Sequence, residues 1–352
     1  MNQVSPSTQR LRNFRLPFAI SWLHKNLFNS WLNSLLTIAC LWGLYSGLSN
    51  IIHWAITQAE WDVVTTNLRL FVVGRYPTSQ LWRLWIVLTL VTGLTGLWLW
   101  TRFNANRQMA SGRVTRLIVI LLPFAICSSL WLIGGGFGLA AVDTSLWNGL
   151  LLTLLAALVS SVLAFPLGVL LALGRQSELP ILRGCCTAYI EIIRGLPLIG
   201  ILFMAEVMLP LVLPGQLRLD RVIRAIAGLV LFNSAYLAET VRGGLQAIPR
   251  GQIEAAKALG FNLPQTLMLI VLPQAIRIVI PAIVGQFISL FKDTSLLSLF
   301  ALVELTGITR SILAQPQFLG RYAEVYLFIG LIYWVFCYTL SMLSRRLERA
   351  QI

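Results

Sequence analysis

Unbroken apolar runs set the terms for this chain. A soluble core closes over shorter amphipathic segments, whereas a helix that crosses the hydrocarbon layer of a bilayer needs about 20 apolar residues. Eight such segments can be marked, at roughly 27–49, 82–101, 115–136, 146–173, 187–213, 222–241, 275–300 and 322–343, with ends uncertain by about 2–4 residues. Every backbone N–H and C=O in hydrocarbon needs a partner within the chain, so these segments are predicted to be helices. Of the 352 residues 57% are hydrophobic and 11% are charged, under half the roughly one quarter usual in soluble domains. The expected fold class is an all-α polytopic membrane protein with about eight transmembrane helices. A disordered chain, a coiled coil and a typical soluble enzyme are excluded.

Trp22, Trp31, Trp82, Trp85, Trp98, Trp100, Trp147 and Tyr322 flank these segments, as amphipathic rings do at the headgroup zone. The net charge of +14 raises nucleic acid as a partner, but the placement of the basic residues argues against it. Regions on one side of the expected spans hold 17 Lys or Arg, among them Arg10, Arg12, Arg15, Arg102, Arg107, Arg113, Arg116, Arg175, Arg242 and Arg345. The opposite loops hold six: Arg69, Arg75, Arg218, Arg221, Arg310 and Arg321. Cytoplasmic loops carry the Lys/Arg excess, so both termini are expected in the cytoplasm and no nucleic-acid partner is expected. The longest outer loop, about 50–81, is neutral and too short for an enzyme domain. The five cysteines and two histidines have no metal-ligand spacing. Gly43 and Gly47 form one GxxxG pair, read as ordinary helix packing.

The segment from Arg242 to Arg277 is the most informative. It predicts a helix near 250–259 ended by Gly260, then a second short helix after Asn262 with Pro264 at an early position. Ala255 and Ala256 leave room for a partner backbone. Long ordered loops tend to be functional, and this one has no His, no Cys and no Gly-rich phosphate cradle. It therefore suits docking rather than chemistry.

At this point the sequence resembles a known family. Glu254, Ala255, Ala256, Gly260, Ile270, Leu272 and Pro273 stand at the spacing of the EAA signature found in permease subunits of bacterial ATP-binding-cassette (ABC) importers. Glu191, Arg194, Gly195 and Pro197 are similar to a segment of the polar amino-acid branch. So are Ala235-Tyr236, Ala238-Glu239 with Arg242-Gly243, and Lys292-Asp293-Thr294-Ser295-Leu296. The resemblance covers about 146–345. Residues 1–145, with three extra spans and the Gly74-Arg75-Tyr76-Pro77 stretch, look like the long eight-span permeases of general L-amino-acid uptake systems.

The resemblance implies a type I importer permease core at 146–345, a cytoplasmic coupling loop at 242–277 and a cytoplasmic tail at 346–352. It implies a bacterial inner-membrane location and a chain that is not itself an enzyme. The partners implied are a second permease chain, with a heterodimer favoured, a cytoplasmic ATPase dimer, a periplasmic amino-acid-binding protein and an amino-acid substrate. Nothing resembles a nucleotide-binding P-loop, so ATP and Mg are assigned to the partner ATPase and no cofactor to this chain. Glu254, Ala255, Ala256 and Gly260 would seat the loop in the ATPase. Against this, Glu254 can instead pair with Lys257 on a solvated helix face, an interaction of roughly 0.2–0.5 kcal/mol.

Charges at membrane depth mark candidate path residues, because each is expensive there. Glu191 and Arg194 share a face and can pair with each other, either structurally or as a gate. Pro197 should kink the fifth span. Glu206 can meet a substrate ammonium or pair with Lys292 or Arg224. Asn233 can bond a substrate or another helix, and Glu239 lies one turn before Arg242. Lys292, Asp293, Thr294 and Ser295 can cap a restarted helix whose N-terminus faces a carboxylate, or can simply hold a helix break together. The competing reading is an ion-gradient-driven secondary transporter of small polar solutes. Such proteins often carry internal repeats, but the Glu254–Pro273 pattern has no second copy. An intramembrane enzyme would need a richer set of His, Asp pairs or metal ligands.

Overall fold

The structure, a computed structural model, describes residues 18–103, 121, 124–214 and 219–349. Among the described residues regular structure is helical, and β pairing is confined to two isolated bridges, Gly136 with Leu139 and Gly149 with Glu304. Contacts divide the chain into two units, Met1–Trp61 and Asp62–Ile352.

The first unit holds α1 (Phe18–Leu27) and α2 (Trp31–Thr57). Ser30 caps α2 by accepting from Asn33 N at 3.3 Å, which satisfies one of the donors a helix start leaves unpaired. No residue of α2 is buried. Ile38, Leu41, Leu44 and Tyr45 are all exposed, as on a helix that meets lipid on every side. Trp61 closes the unit, with Nε1 donating to Ala55 O at 2.8 Å and its ring edge-on to Trp54.

The second unit begins with α3 (Asp62–Val73), α4 (Leu81–Phe103) and α5 (Phe124–Gly134). The stretch expected as an outer loop thus contains a helix, and α3 packs on later parts of the unit through Val63 and Phe71. The first half of the expected third span lies outside the described residues, as do Arg10, Arg12, Arg15, Arg107, Arg113, Arg116 and Arg218. The side chains of Trp98 and Arg102 are likewise outside them. Then follow α6 (Gly149–Arg175), α7 (Pro180–Gly195), α8 (Leu198–Phe203), a wide π turn (Met204–Met208) and α9 (Leu209–Val212). The remaining helices are α10 (Arg221–Gln246), α11 (Arg250–Ala258), α12 (Leu263–Gln265), α13 (Leu272–Asp293), α14 (Leu305–Leu313) and α15 (Tyr322–Arg349). Six helices are long and apolar enough to span a bilayer, or seven if α7 with α8–α9 is one broken span.

Two local expectations need correction. The fifth span is broken rather than kinked: α7 and α8–α9 meet at 105°, and Leu196 and Pro197 are extended at the break. Proline disfavours helical backbone in the residue before it, and Gly195 weakens the last turn. The second short helix of the long loop does not stand alone. Asn262 and Gln265 form a capping box, and the chain continues through a second π turn (Thr266–Val271) into α13. Leu272 N reaches back to Leu267 O. This widened turn gives the Pro273 ring space over a carbonyl it would strike in a regular helix.

The centre of the unit is the pair α6 and α10. A Cβ at Gly168 would stand 2.7 Å from the Leu237 Cβ, so the two backbones approach as closely as small residues allow. One core cluster joins Leu152, Leu202 and Leu229 to Tyr76, Ile133 and Trp147 from the preceding segment. At the start of α6, Gly149 has φ +64 and donates to Val303 O at 2.8 Å. A Cβ there would meet Phe71 O at 2.5 Å. Gly149→Ala should therefore cost about 2–4 kcal/mol from left-handed strain plus overpacking. It should lower the melting temperature of the detergent-purified chain by several degrees, whereas Gly184→Ala, into open space on α7, should not. Equal melting temperatures would refute the close approach.

Candidate functional site

The candidate coupling segment is built on α11. Ala247 ends α10 and Pro249 precedes α11, where a missing N–H costs nothing. Gly260 has φ +83. Gly260 N donates to Lys257 O at 3.0 Å and Phe261 N to Ala256 O at 3.1 Å, the two bonds of a Schellman closure that needs a left-handed residue. A Cβ at Gly260 would meet nothing within 4 Å, so the backbone conformation, not space within this chain, requires the glycine. The helix has two faces. Glu254, Ala255 and Leu259 are exposed, and Ala256 is buried. Beneath it Ile190, Val241, Ile248, Val271 and Ala275 form one core cluster with Ile253 packed against it. α11 thus reaches this cluster through Ile253 and lies against the π turn at Thr266–Val271.

The end of the unit that bears α11 also carries a charge cluster. Arg175 donates to Glu191 at 2.9 Å and to Glu239 at 3.2 Å. Arg194 lies 3.7 Å from Glu239 and over the Tyr236 ring. Arg242 Nε donates to Glu239 at 3.0 Å, and its NH2 also bonds that carboxylate. The expected pair between Glu191 and Arg194 does not form, because each turns to a different helix. Arg175 and Arg194 both close helix C-termini, where unpaired carbonyls favour a cation. Three guanidinium groups thus face two carboxylates where α6, α7 and α10 meet, beside the break at Pro197.

The other charges at depth separate into two places. Glu206, on the first π turn, lies 3.6 Å from Arg224 of α10, which selects one of the two partners foreseen for it. Asn233 is fully buried, donates to Leu229 O and accepts from Gln286 of α13 at 3.1 Å. Lys292 and Asp293 end α13, and a 3-10 segment (Thr294–Phe300) follows. Lys292 is exposed, Asp293 and Ser295 are half-buried, and buried Thr294 donates to Phe291 O at 2.7 Å. None of these side chains caps a restarted helix.

The restart is made by Glu304, which the sequence reading missed. It is fully buried and caps α14 by accepting from Thr306 N at 2.8 Å and Gly307 N at 2.9 Å. Tyr333 of α15 and Thr153 of α6 donate to it at 3.3 and 3.5 Å. Glutamate is a weak capping residue, so the only local signal was an acid in an apolar stretch. Arg175 was missed as a network member because it reads equally well as a topogenic charge.

Comparison with known proteins places this geometry. Residues 164–352 match the family of binding-protein-dependent transport system inner membrane components. The chain is 41% identical over 348 residues to the inner membrane amino-acid ABC transporter permease protein YhdY of Escherichia coli (strain K12), covering 94% of this chain and 92% of that one. It is 32% identical to the glutamate/glutamine/aspartate/asparagine transport system permease protein BztC of Rhodobacter capsulatus, covering 94% and 93%. A shorter relative, the probable glutamine ABC transporter permease protein GlnP of Bacillus subtilis, is 40% identical over 58% of this chain and 93% of its own. Among solved structures, a crystal structure of an amino acid ABC transporter with histidines superposes with a TM-score of 0.52 at 30% identity, covering 57% and 92%.

The inner cluster should be unequal in strength. Glu239 is 24% exposed and engages three guanidinium groups, whereas Glu191 is 56% exposed and engages one. Shielded hydrogen bonds to charged groups contribute about 1.5–3 kcal/mol, and an exposed pair about 0.2–1 kcal/mol. Thermal unfolding in detergent should show a larger loss for Glu239→Gln than for Glu191→Gln. Equal losses would mean that solvent screens the whole cluster.

Proposed function

This chain belongs to the binding-protein-dependent transport inner membrane component family, and from that premise we propose that it is a permease subunit of an ATP-driven amino-acid importer. It would lie in the bacterial inner membrane with both termini cytoplasmic. The full-length relatives named above are amino-acid permeases, which favours this reading over an ion-gradient-driven transporter. Residues 146–345 are the permease core, 1–145 an N-terminal extension and 346–352 a cytoplasmic tail. The partners are a second permease chain in a heterodimer, a cytoplasmic ATPase dimer that binds ATP and Mg, and a periplasmic amino-acid-binding protein.

One observation carries the mechanism: α11 is a short capped helix with an open outer face, and its other face packs through Ile253 on a core cluster to which α7, α10 and α13 contribute. Glu254 and Ala255 stand where an ATPase groove would meet them, Ala256 seats the helix, and Gly260 closes it. When nucleotide draws the ATPase pair together, force on α11 passes through Ile248 and Val271 into α10 and α13. α10 carries Glu239 and Arg242, so the pull reaches the inner charge cluster directly. Loosening that junction would open the inner end of the path, along which Asn233 and Lys292–Ser295 are candidate lining groups.

The reading predicts that Gly260→Ala and Glu254→Lys leave the chain in the membrane at wild-type amount. Both should cut ATP-dependent amino-acid uptake by the reconstituted complex about tenfold or more, equivalent to roughly 1.4 kcal/mol of lost docking. Co-purification with the ATPase should fall in parallel. Wild-type uptake by both variants would remove the docking role.

A further inference from the structure

The Glu206–Arg224 pair is the most buried of the ion pairs described above. Glu206 and Arg224 have side chains only 2% and 11% exposed, yet their closest atoms stand 3.6 Å apart. A charge-assisted hydrogen bond closes to about 2.7–2.9 Å. Neither Glu206 oxygen has a hydrogen-bond partner, and Arg224 Nε has none. A buried ion pair offsets its desolvation only when its remaining lone pairs and donors are met. The Glu206–Arg224 pair does not meet that condition.

The neighbouring charges are already committed. Asp220 caps α10 by accepting from Val222 N at 2.8 Å and takes the Thr144 hydroxyl at 2.5 Å. Arg221 donates to Phe300 O at 2.6 Å. Among the described charges of this neighbourhood, the unspent capacity therefore lies on Glu206 and Arg224. Glu206 is also held on a π turn, an insertion that recurs mostly at functional sites.

We propose that Glu206 and Arg224 together bind the two charged ends of an α-amino-acid zwitterion, the carboxylate of Glu206 taking the ammonium and the guanidinium of Arg224 the carboxylate. The inference rests on the importer reading and names its substrate contact. Both ends of an α-amino acid hang from one carbon, so they suit two side chains that already lie together. A guanidinium fork matches a carboxylate bidentately, and an ammonium has three donors for the idle Glu206 oxygens. The ligand would enter by parting the pair. Glu206 rides on α8–α9, which joins α7 only through the break at Leu196–Pro197, and element ends of this kind absorb hinge motion. The pair reads groups common to all α-amino acids, so selection among side chains falls to other residues.

The test uses the permease–ATPase complex, purified without binding protein. Binding of radiolabelled L-glutamate, L-glutamine, L-aspartate, L-asparagine, L-histidine and L-arginine would be measured, and ATP-driven uptake of the same six by the full system. Glu206→Gln and Arg224→Lys should each weaken binding about tenfold or more, a loss near 1.4 kcal/mol, with the assembled amount unchanged. The double variant Glu206→Arg with Arg224→Glu keeps an ion pair but should remain equally defective, because the zwitterion would meet it reversed. Wild-type binding in the single variants, restored binding in the swap, or failure of Arg224→Lys and the swap to assemble would each assign the pair a purely structural role and overturn the proposal. If the wild-type system took up none of the six, the importer reading would fall with it, whereas uptake unaffected by the variants would remove only this inference.

Discussion

Hydrocarbon offers no hydrogen bonds, and that constraint organises this molecule. Every interruption of the helical backbone must be answered by the protein itself. The largest interruption is at Leu196–Pro197, where a span turns through 105°. Beside it stand Arg175, Arg194, Glu191, Glu239 and Arg242, which tie three helices across the gap. The second is the turn from the seventh span into α14. Here buried Glu304 answers the free N–H groups of a helix start, and Thr153 and Tyr333 answer Glu304. In both places charge is spent where backbone order is broken, whereas the exposed helix α2 carries no Asp, Glu, Lys or Arg.

The helix α10 connects these features. It bears Arg224 near one end, Asn233 in the middle and Glu239 with Arg242 near the other. Its inner end shares a core with the seat of α11, and its outer end is capped by Asp220. A displacement of α10 cannot be confined to one end, because close packing against α6 at Gly168 leaves no slack to absorb it. That stiffness would make a push at α11, in the coupling role proposed for it, and a change at the far end of α10 parts of one motion.

Apolar length made six or seven of the eight expected spans legible in the sequence, and the Glu254–Gly260 pattern made the short helix α11 legible. Gly260 was readable because a capping glycine leaves a local signal. The charge partners were not. Glu191 and Arg194 sit at helical spacing and look paired, but spacing only says that two side chains share a face, not which neighbouring helix each one meets. Arg175 and Glu304 escaped for a related reason: their roles come from tertiary neighbours more than one hundred positions away in the case of Glu304 and Thr153. The break at Pro197 was foreseen as a kink, since proline chemistry gives the place of a bend while the surrounding packing sets its size. α3 lay hidden in a stretch whose short, partly polar pattern carries no span signal.

The N-terminal extension is more than an appendage to a permease core. The family match begins at residue 164, and a relative of the shorter kind aligns over only 206 residues, so a core of this kind can exist without it. In this chain, however, Tyr76, Ile133, Val142 and Trp147 fill the same cluster as Leu152, Leu202 and Leu229. Phe71 of α3 lies edge-on to Phe328 of α15 at 5.1 Å, and Gly149 accommodates the α3 carbonyls where a side chain would collide. Large buried side chains removed from such a core leave cavities that cost several kcal/mol each. The stretches Phe71–Tyr76 and Ile133–Trp147 are therefore part of the packed frame around the start of α6, since removing Tyr76, Ile133, Val142 or Trp147 would open a hole in a cluster that α6, α8 and α10 share.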